Sequence, residues 1–413
     1  MTRLTTVLIL AALSACSRER RETPVADRVS AAVPRLEKSI GVPFKTPPKF
    51  EMRSKEEVRK FLESQFATEV PDEDLRGSER AYKRFGLIPD TLDLKRFMLT
   101  LLTEQVAGFY DPATKVLYIV QGASDDMVSV TVSHELVHAL QDQYFDLDSL
   151  RKIKRHNDRQ VAAQAVIEGQ ATLEQLASML GSGTAVANIP GGWDRVREVI
   201  RGSQGAMPVF AGAPMLIQET LLFPYLSGAE FMRNFKEKNG GALPFGNMPQ
   251  STEQVMHEDR FFLNRDVPTT VTLPPVSGGE AYENDLGEFE TRLFLFQHLK
   301  DRDAAYRGAA GWDGDRFVSF TTGRGDGLAW LTVWDTAVDA AEFVDLIDTA
   351  LLKRFDDLRP GVSSGTRRTW TTRGRTIALT AVEVGGRPCV LFVDVPAGSS
   401  TDVIDLAKVK LEE

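Results

Sequence analysis

Two cysteines in 413 residues, Cys16 and Cys389, exclude a disulfide framework and a cysteine-ligated metal site. Positive charge is also short: 49 Lys and Arg face 58 Asp and Glu, for a net charge of −9. The basic residues are scattered, so the chain lacks the electrostatic footprint of a nucleic-acid binder. The apolar run Leu4–Leu13 is too short to remain as a membrane-spanning helix. Histidine is rare, with five in the chain, and neither glycine nor proline interrupts residues 124–144, which permits an unbroken helix there. The remaining composition, 42% hydrophobic and 26% charged, is that of a globular protein long enough for two or three domains.

Within that uninterrupted run stands His134-Glu135-Leu136-Val137-His138. Two imidazoles four residues apart lie one helical turn apart and point at one metal ion. Val132, Leu136 and Leu140 form the opposing apolar face that anchors the helix in a core. Glu135 sits to the side, placed to take a proton from a metal-bound water without being a ligand. Asp125 and Asp126 supply capping and dipole-compatible charge at the helix start. A catalytic zinc needs a third protein ligand, and Glu168, in Glu168-Gly169-Gln170-Ala171, is the strongest candidate. A glycine inside an Ala-rich helix costs about 1 kcal/mol, which makes sense where two helices approach closely around a metal. The extended metzincin motif is excluded, because Gln141 and Tyr144 stand where it requires Gly and His. Two imidazoles and one carboxylate with an open position suit one Zn²⁺ ion.

The pair His134-Glu135-x-x-His138 and Glu168-Gly169-x-Ala171 resembles the gluzincin group of zinc metallopeptidases, in the thermolysin-like superfamily. HELVHALQD resembles the thermolysin metal helix as far as Asp142. The resemblance implies hydrolysis of peptide bonds by a Glu-activated, zinc-bound water. Asp142 is either a carboxylate that orients a ligand histidine or a solvated residue near the helix end. The chain departs at Thr172, where thermolysin carries an acidic residue. Residues 106–120 read as a hairpin, with a strand through Phe109 and Tyr110, a turn at 111–114 and a second strand from Val116. In the superfamily an edge strand above the metal helix pairs with the extended substrate, so Tyr110 is the substrate-binding candidate by resemblance. The sequence leaves open whether this strand is an edge or internal. The thermolysin type also uses a His or Tyr from its second subdomain to stabilise the oxyanion. His257 stands where such a residue could come from, with Tyr110, Tyr144 and Tyr225 as competitors. The wider chain is similar to a group of uncharacterised bacterial lipoproteins, through the segments at 134–145, 168–173, 223–231, 251–257 and 311–316.

Residues 1–15 read as an export signal. Leu13-Ser14-Ala15-Cys16 resembles a bacterial lipobox, which implies a mature chain lipidated at Cys16 and held on the cell envelope, at the outer membrane facing the periplasm or at the cell surface. An ordinary cleaved signal is the alternative. Residues 16–50 read as a flexible tether, with one short helix near Val25–Ser39. The expected fold is α+β. A zincin-like domain, a small sheet plus metal-binding helices, occupies 51–268, and a smaller α+β module occupies 276–413 beyond a proline- and glycine-rich boundary. Cys389, in an apolar run, reads as a buried small hydrophobe. Trp312, Trp330 and Trp334 read as core. The expected function is that of a membrane-anchored zinc metallopeptidase acting on a peptide or protein. The alternative is a zinc-containing envelope lipoprotein that binds or scaffolds a partner without cleaving it.

Overall fold

The computed structural model describes residues 24–105, 107–180, 207–239 and 243–412. The expected signal at 1–15 and the expected lipidation site Cys16 lie outside the described residues. The chain is α+β. Helix α1 (Val25–Ile40) ends at Gly41, whose φ of 87° lets the chain turn off the helix. Strand β1 (Lys49–Arg53) leads into α2 (Lys55–Glu69), whose start is fixed by a reciprocal capping box between Ser54 and Glu57. Helices α3 (Asp72–Phe85) and α4 (Leu94–Gln105) follow, then the hairpin of β2 (Gly108–Asp111) and β3 (Val116–Val120). Helix α5 (Asp125–Tyr144) carries the metal motif. Its cap is Ser124, whose hydroxyl accepts from the Met127 N–H, so the cap bond does not come from Asp125. Helices α6 (Asn157–Leu180) and α7 (Met215–Asn239) complete this half, and α7 runs through Pro224 without ending.

The first sheet has the order β1-β3-β2, with β1 parallel and β2 antiparallel to β3. The strand through Tyr110 is therefore an edge. One face of this sheet sets Leu117 and Ile119 against Val132, Leu136, Val137 and Leu140 of α5. The other sets Phe109 and Tyr118 against Val58 and Leu62 of α2. Residues 24–50 are not a tether. Val29, Ala32, Leu36 and Ile40 form an apolar stripe on α1 that joins the core under α5. Arg28 pairs with Asp125 at 2.7 Å, and the Tyr144 hydroxyl donates to the Pro43 carbonyl at 2.7 Å, so the segment is fastened at both ends of α5.

Short helices α8 (Thr252–Met256) and α9 (Glu258–Phe262) lead to β4 (Thr270–Thr272), β5 (Ala281–Asn284), α10 (Gly287–Leu299) and α11 (Arg302–Ala309). Then come the hairpin β6 (Trp312–Thr322) and β7 (Gly325–Trp334), α12 (Ala337–Arg354), β8 (Arg359–Pro360), β9 (Arg367–Thr371), β10 (Arg375–Val384), β11 (Arg387–Pro396) and β12 (Lys410–Glu412). The second sheet is seven-stranded, ordered β5-β6-β7-β11-β10-β9-β8, with each neighbouring pair antiparallel. Its one face packs Phe317, Trp330 and Phe392 against Phe294 of α10 and Phe343 of α12. On the other, Cys389 lies buried with Val318, Leu331, Val393 and the closing residues Val271, Ile404 and Val409. The stretch at 268–276 marks a change of architecture and not a gap in the core. Tyr82 and Phe85 of α3, Val166 of α6 and Phe223 of α7 share one cluster with Phe289, Phe294 and Trp330.

Candidate metal centre

Helices α5 and α6 run in opposite directions past one another: His134 meets Glu168 and Gln175, while Gln141, two turns further on, meets Ile167 and Gln170. This crossing brings together the two histidines and the carboxylate that the sequence singles out. Glu168 Oε2 lies 3.1 Å from His134 Nε2 and 3.4 Å from His138 Nε2. One donor atom from each residue falls within 4.8 Å of the others. His138 is fully buried, and Glu135, His134 and Glu168 are 1, 2 and 3% exposed. The glycine after Glu168 has a physical role. A Cβ on Gly169 would fall 2.1 Å from the Gly228 carbonyl carbon, and one on Gly228 would fall 2.1 Å from the Ala165 carbonyl oxygen. The close approach is thus between α6 and α7, not between α6 and the metal helix.

The donor set fits a cation. His138 Nε2 is buried and has no hydrogen-bond partner, although it faces a carboxylate oxygen. Burial by itself favours the neutral form of each of these groups. For Glu168 the adjacent His138 and His134 outweigh it and hold the carboxyl down at about 2, and for His138 the Glu168 carboxylate outweighs it and lifts the imidazole to about 9. Two imidazoles and a carboxylate converging in a dry site are the donors that zinc takes.

Glu135 lies beside the triad without joining it. Its Oε2 accepts the backbone N–H of Tyr110 at 2.8 Å, and burial pushes its carboxyl up to about 7 against the pull of the histidines. The strand register explains the contact. Ala107 and Asp111 turn their carbonyls toward the β3 side of the hairpin, so the alternate residues Gly108 and Tyr110 direct their amides and carbonyls off the free edge, toward α5. Tyr110 itself is buried, and its hydroxyl donates to Asp142 Oδ2 at 2.7 Å.

Two expected residues fall elsewhere. Asp142 touches neither histidine and is not solvated. Its side chain, 1% exposed, accepts from the Tyr110 hydroxyl, Lys115 Nζ and the Leu147 N–H. His257 caps α8, where its Nε2 lies 2.9 Å from Glu288 in the first turn of α10 and its ring packs against Tyr306. That contact turns the Nε2 of His257 to Glu288. Of the competing tyrosines, Tyr144 is bound to Pro43, whereas the Tyr225 ring lies stacked 6.0 Å from that of His134. The residues missed are two glutamines. His138 Nδ1 is 2.9 Å from Gln141 Oε1, and His134 Nδ1 is 2.9 Å from Gln175 Oε1. Gln141 shares the helical arc of the histidines, which is a sequence signal. Gln175 has none, because its role depends on the helix crossing. A second acidic group, Glu253, Asp266 and Asp335, encloses the Arg260 guanidinium, which serves as its cation.

A family model for a domain of unknown function, DUF8575, matches residues 272–403, a part of the chain that carries none of His134, Glu135, His138 and Glu168. No curated protein and no solved structure matches the chain.

Proposed function

We propose that the chain is a zinc metallopeptidase with a zincin-like catalytic half, in which His134, His138 and Glu168 hold the metal and Glu135 is the general base. The observation that carries this reading is the Glu135 carboxylate, held by the Tyr110 N–H next to three converging donors. A purely structural zinc site has four protein ligands and no use for an adjacent carboxylate. Zinc, when bound, supplies the Lewis acidity that polarises a peptide carbonyl and makes water acidic near neutrality. Glu135 takes a proton from the attacking water and delivers it to the leaving amine. The Tyr110 N–H fixes the carboxylate for both transfers, and the edge of β2 is the place for an extended peptide backbone. Tyr225, stacked on His134, is better placed than His257 to meet the developing oxyanion. The lipobox-like Leu13–Cys16 supports a lipid anchor in the cell envelope, and no helix among the described residues is long and apolar enough to cross a membrane.

Burial favours a second reading. With the four side chains 0–3% exposed, a peptide reaches the centre only if the surrounding elements part. A zinc-containing envelope lipoprotein that binds a partner without hydrolysis needs no such opening. An unbiased peptide library incubated with zinc-loaded protein, beside its Glu135→Ala variant, separates the two. Cuts made by the parent and reduced by about 10²–10⁴-fold or more in the variant, with zinc content unchanged, are the expected result. Zinc-loaded parent protein that cuts nothing leaves the binding lipoprotein.

A further inference from the structure

The outer contacts of the two histidines differ from the carboxylates that commonly back zinc-bound imidazoles. Gln141 donates through Nε2 to the Ile167 carbonyl at 3.0 Å and to Gln170 Oε1 at 2.9 Å. Those two acceptors decide which way its amide faces, so the atom turned to His138 Nδ1 is the oxygen. An amide oxygen requires a donor, so Nδ1 of His138 carries a hydrogen, and Nε2 is the nitrogen left facing Glu168. Gln175 Oε1 lies 2.9 Å from Nδ1 of His134, a placement that a hydrogen on that nitrogen satisfies. The one carboxylate that the helix could have offered, Asp142, is engaged by Tyr110 and Lys115.

We propose that Gln141 and Gln175 are positioning residues that lock both imidazoles in the Nδ1–H form with Nε2 free for the metal. Being neutral, they leave Glu168 as the single negative charge among the ligands and their immediate supports. A backing carboxylate would draw the Nδ1 proton, make the imidazole a stronger donor and bind zinc more tightly. The glutamines therefore give up metal affinity and keep the bound cation more electrophilic. The inference rests on the zinc-site part of the reading above and not on peptide hydrolysis.

The test is zinc affinity of the full chain, measured by competition with a chromophoric chelator, for the parent and for Gln175→Leu, Gln175→Glu and Gln141→Glu. Thermal melting of the metal-free proteins accompanies it, so that loss of fold is not read as loss of metal. The leucine variant should bind zinc about 10–100-fold more weakly at unchanged melting temperature, and each glutamate variant roughly tenfold more tightly. Nitrogen NMR of the zinc-loaded parent should show both metal-site histidines protonated at Nδ1. Equal affinity for Gln175→Leu and the parent, a proton at Nε2, or a parent that binds no zinc overturns the inference. A parent that binds zinc with this dependence yet cuts no peptide overturns the peptidase reading alone.

Discussion

Gln141 and Asp142 are adjacent on α5, and one step around the helix gives them different partners. The amide reaches His138, and the carboxylate reaches the β2–β3 hairpin, where Tyr110 and Lys115 close on it at 2.7 and 2.6 Å. Asp142 thereby fastens the hairpin to the end of the metal helix and keeps the Tyr110 N–H on Glu135. Burial and the Asp142 carboxylate together hold the Tyr110 phenol protonated far above its ordinary range. Asp142→Ala removes the acceptor and leaves the hydroxyl of the buried Tyr110 unmet, so we expect a loss of about 1–3 kcal/mol of stability. Zinc affinity should stay at the parent level. Chelator competition showing tenfold weaker zinc binding in a folded variant would mean that Asp142 supports a ligand after all.

The decisive contact between elements is the crossing of α6 and α7. Gly169 and Gly228 let the two backbones meet where any side chain would overlap a carbonyl group. Glu168 is the residue before this crossing, and Tyr225, on the partner helix, is stacked on His134, so the same contact places the Glu168 carboxylate and one wall of the candidate site. Gly169→Ala should drive the helices apart, lowering stability by about 1–3 kcal/mol and weakening zinc binding with it. Gly228→Ala should do the same from the other side. Alanine variants with parental melting and parental zinc affinity would show that α6 is placed by other contacts.

Over the whole molecule, the halves on either side of residue 268 share one core. The Tyr82 hydroxyl donates to Glu290 at 3.0 Å, the Ser319 hydroxyl to the Gly77 carbonyl at 3.0 Å, and the Asp158 N–H to Asp285 at 2.7 Å, all within or beside one shared apolar core. Calorimetry of the zinc-loaded chain should therefore give a single cooperative transition, and two resolved transitions would contradict the shared core. The same scans carry a pH dependence. Burial, and then the neighbouring Glu288, raise the Glu253 carboxyl to about 9, and burial with Asp285 raises Asp315. Acids raised in the folded state hold protons that the unfolded chain releases, so their stabilisation is complete at acid pH and is lost as pH climbs through the raised values. The melting temperature should fall between pH 7 and pH 9, and a rise over that interval would contradict the assignment.

By itself the sequence determined what is local. Helical spacing put His134, Glu135 and His138 on one helix, alternation and turn residues set out the β2–β3 hairpin, and the apolar stripe of α5 could be read before its partners were known. Glu168 was legible because a glycine inside a helix needs a reason, although the reason was Gly228 and not the metal helix. The tertiary structure decided every pairing between segments far apart in the chain. It made α1 part of the core under α5 where a tether was expected. It gave Gln175 to His134, Asp142 to the hairpin and His257 to Glu288. Such contacts follow from the angle and register at which helices cross. Those are fixed by the sum of packing over the whole core, and no single segment carries them.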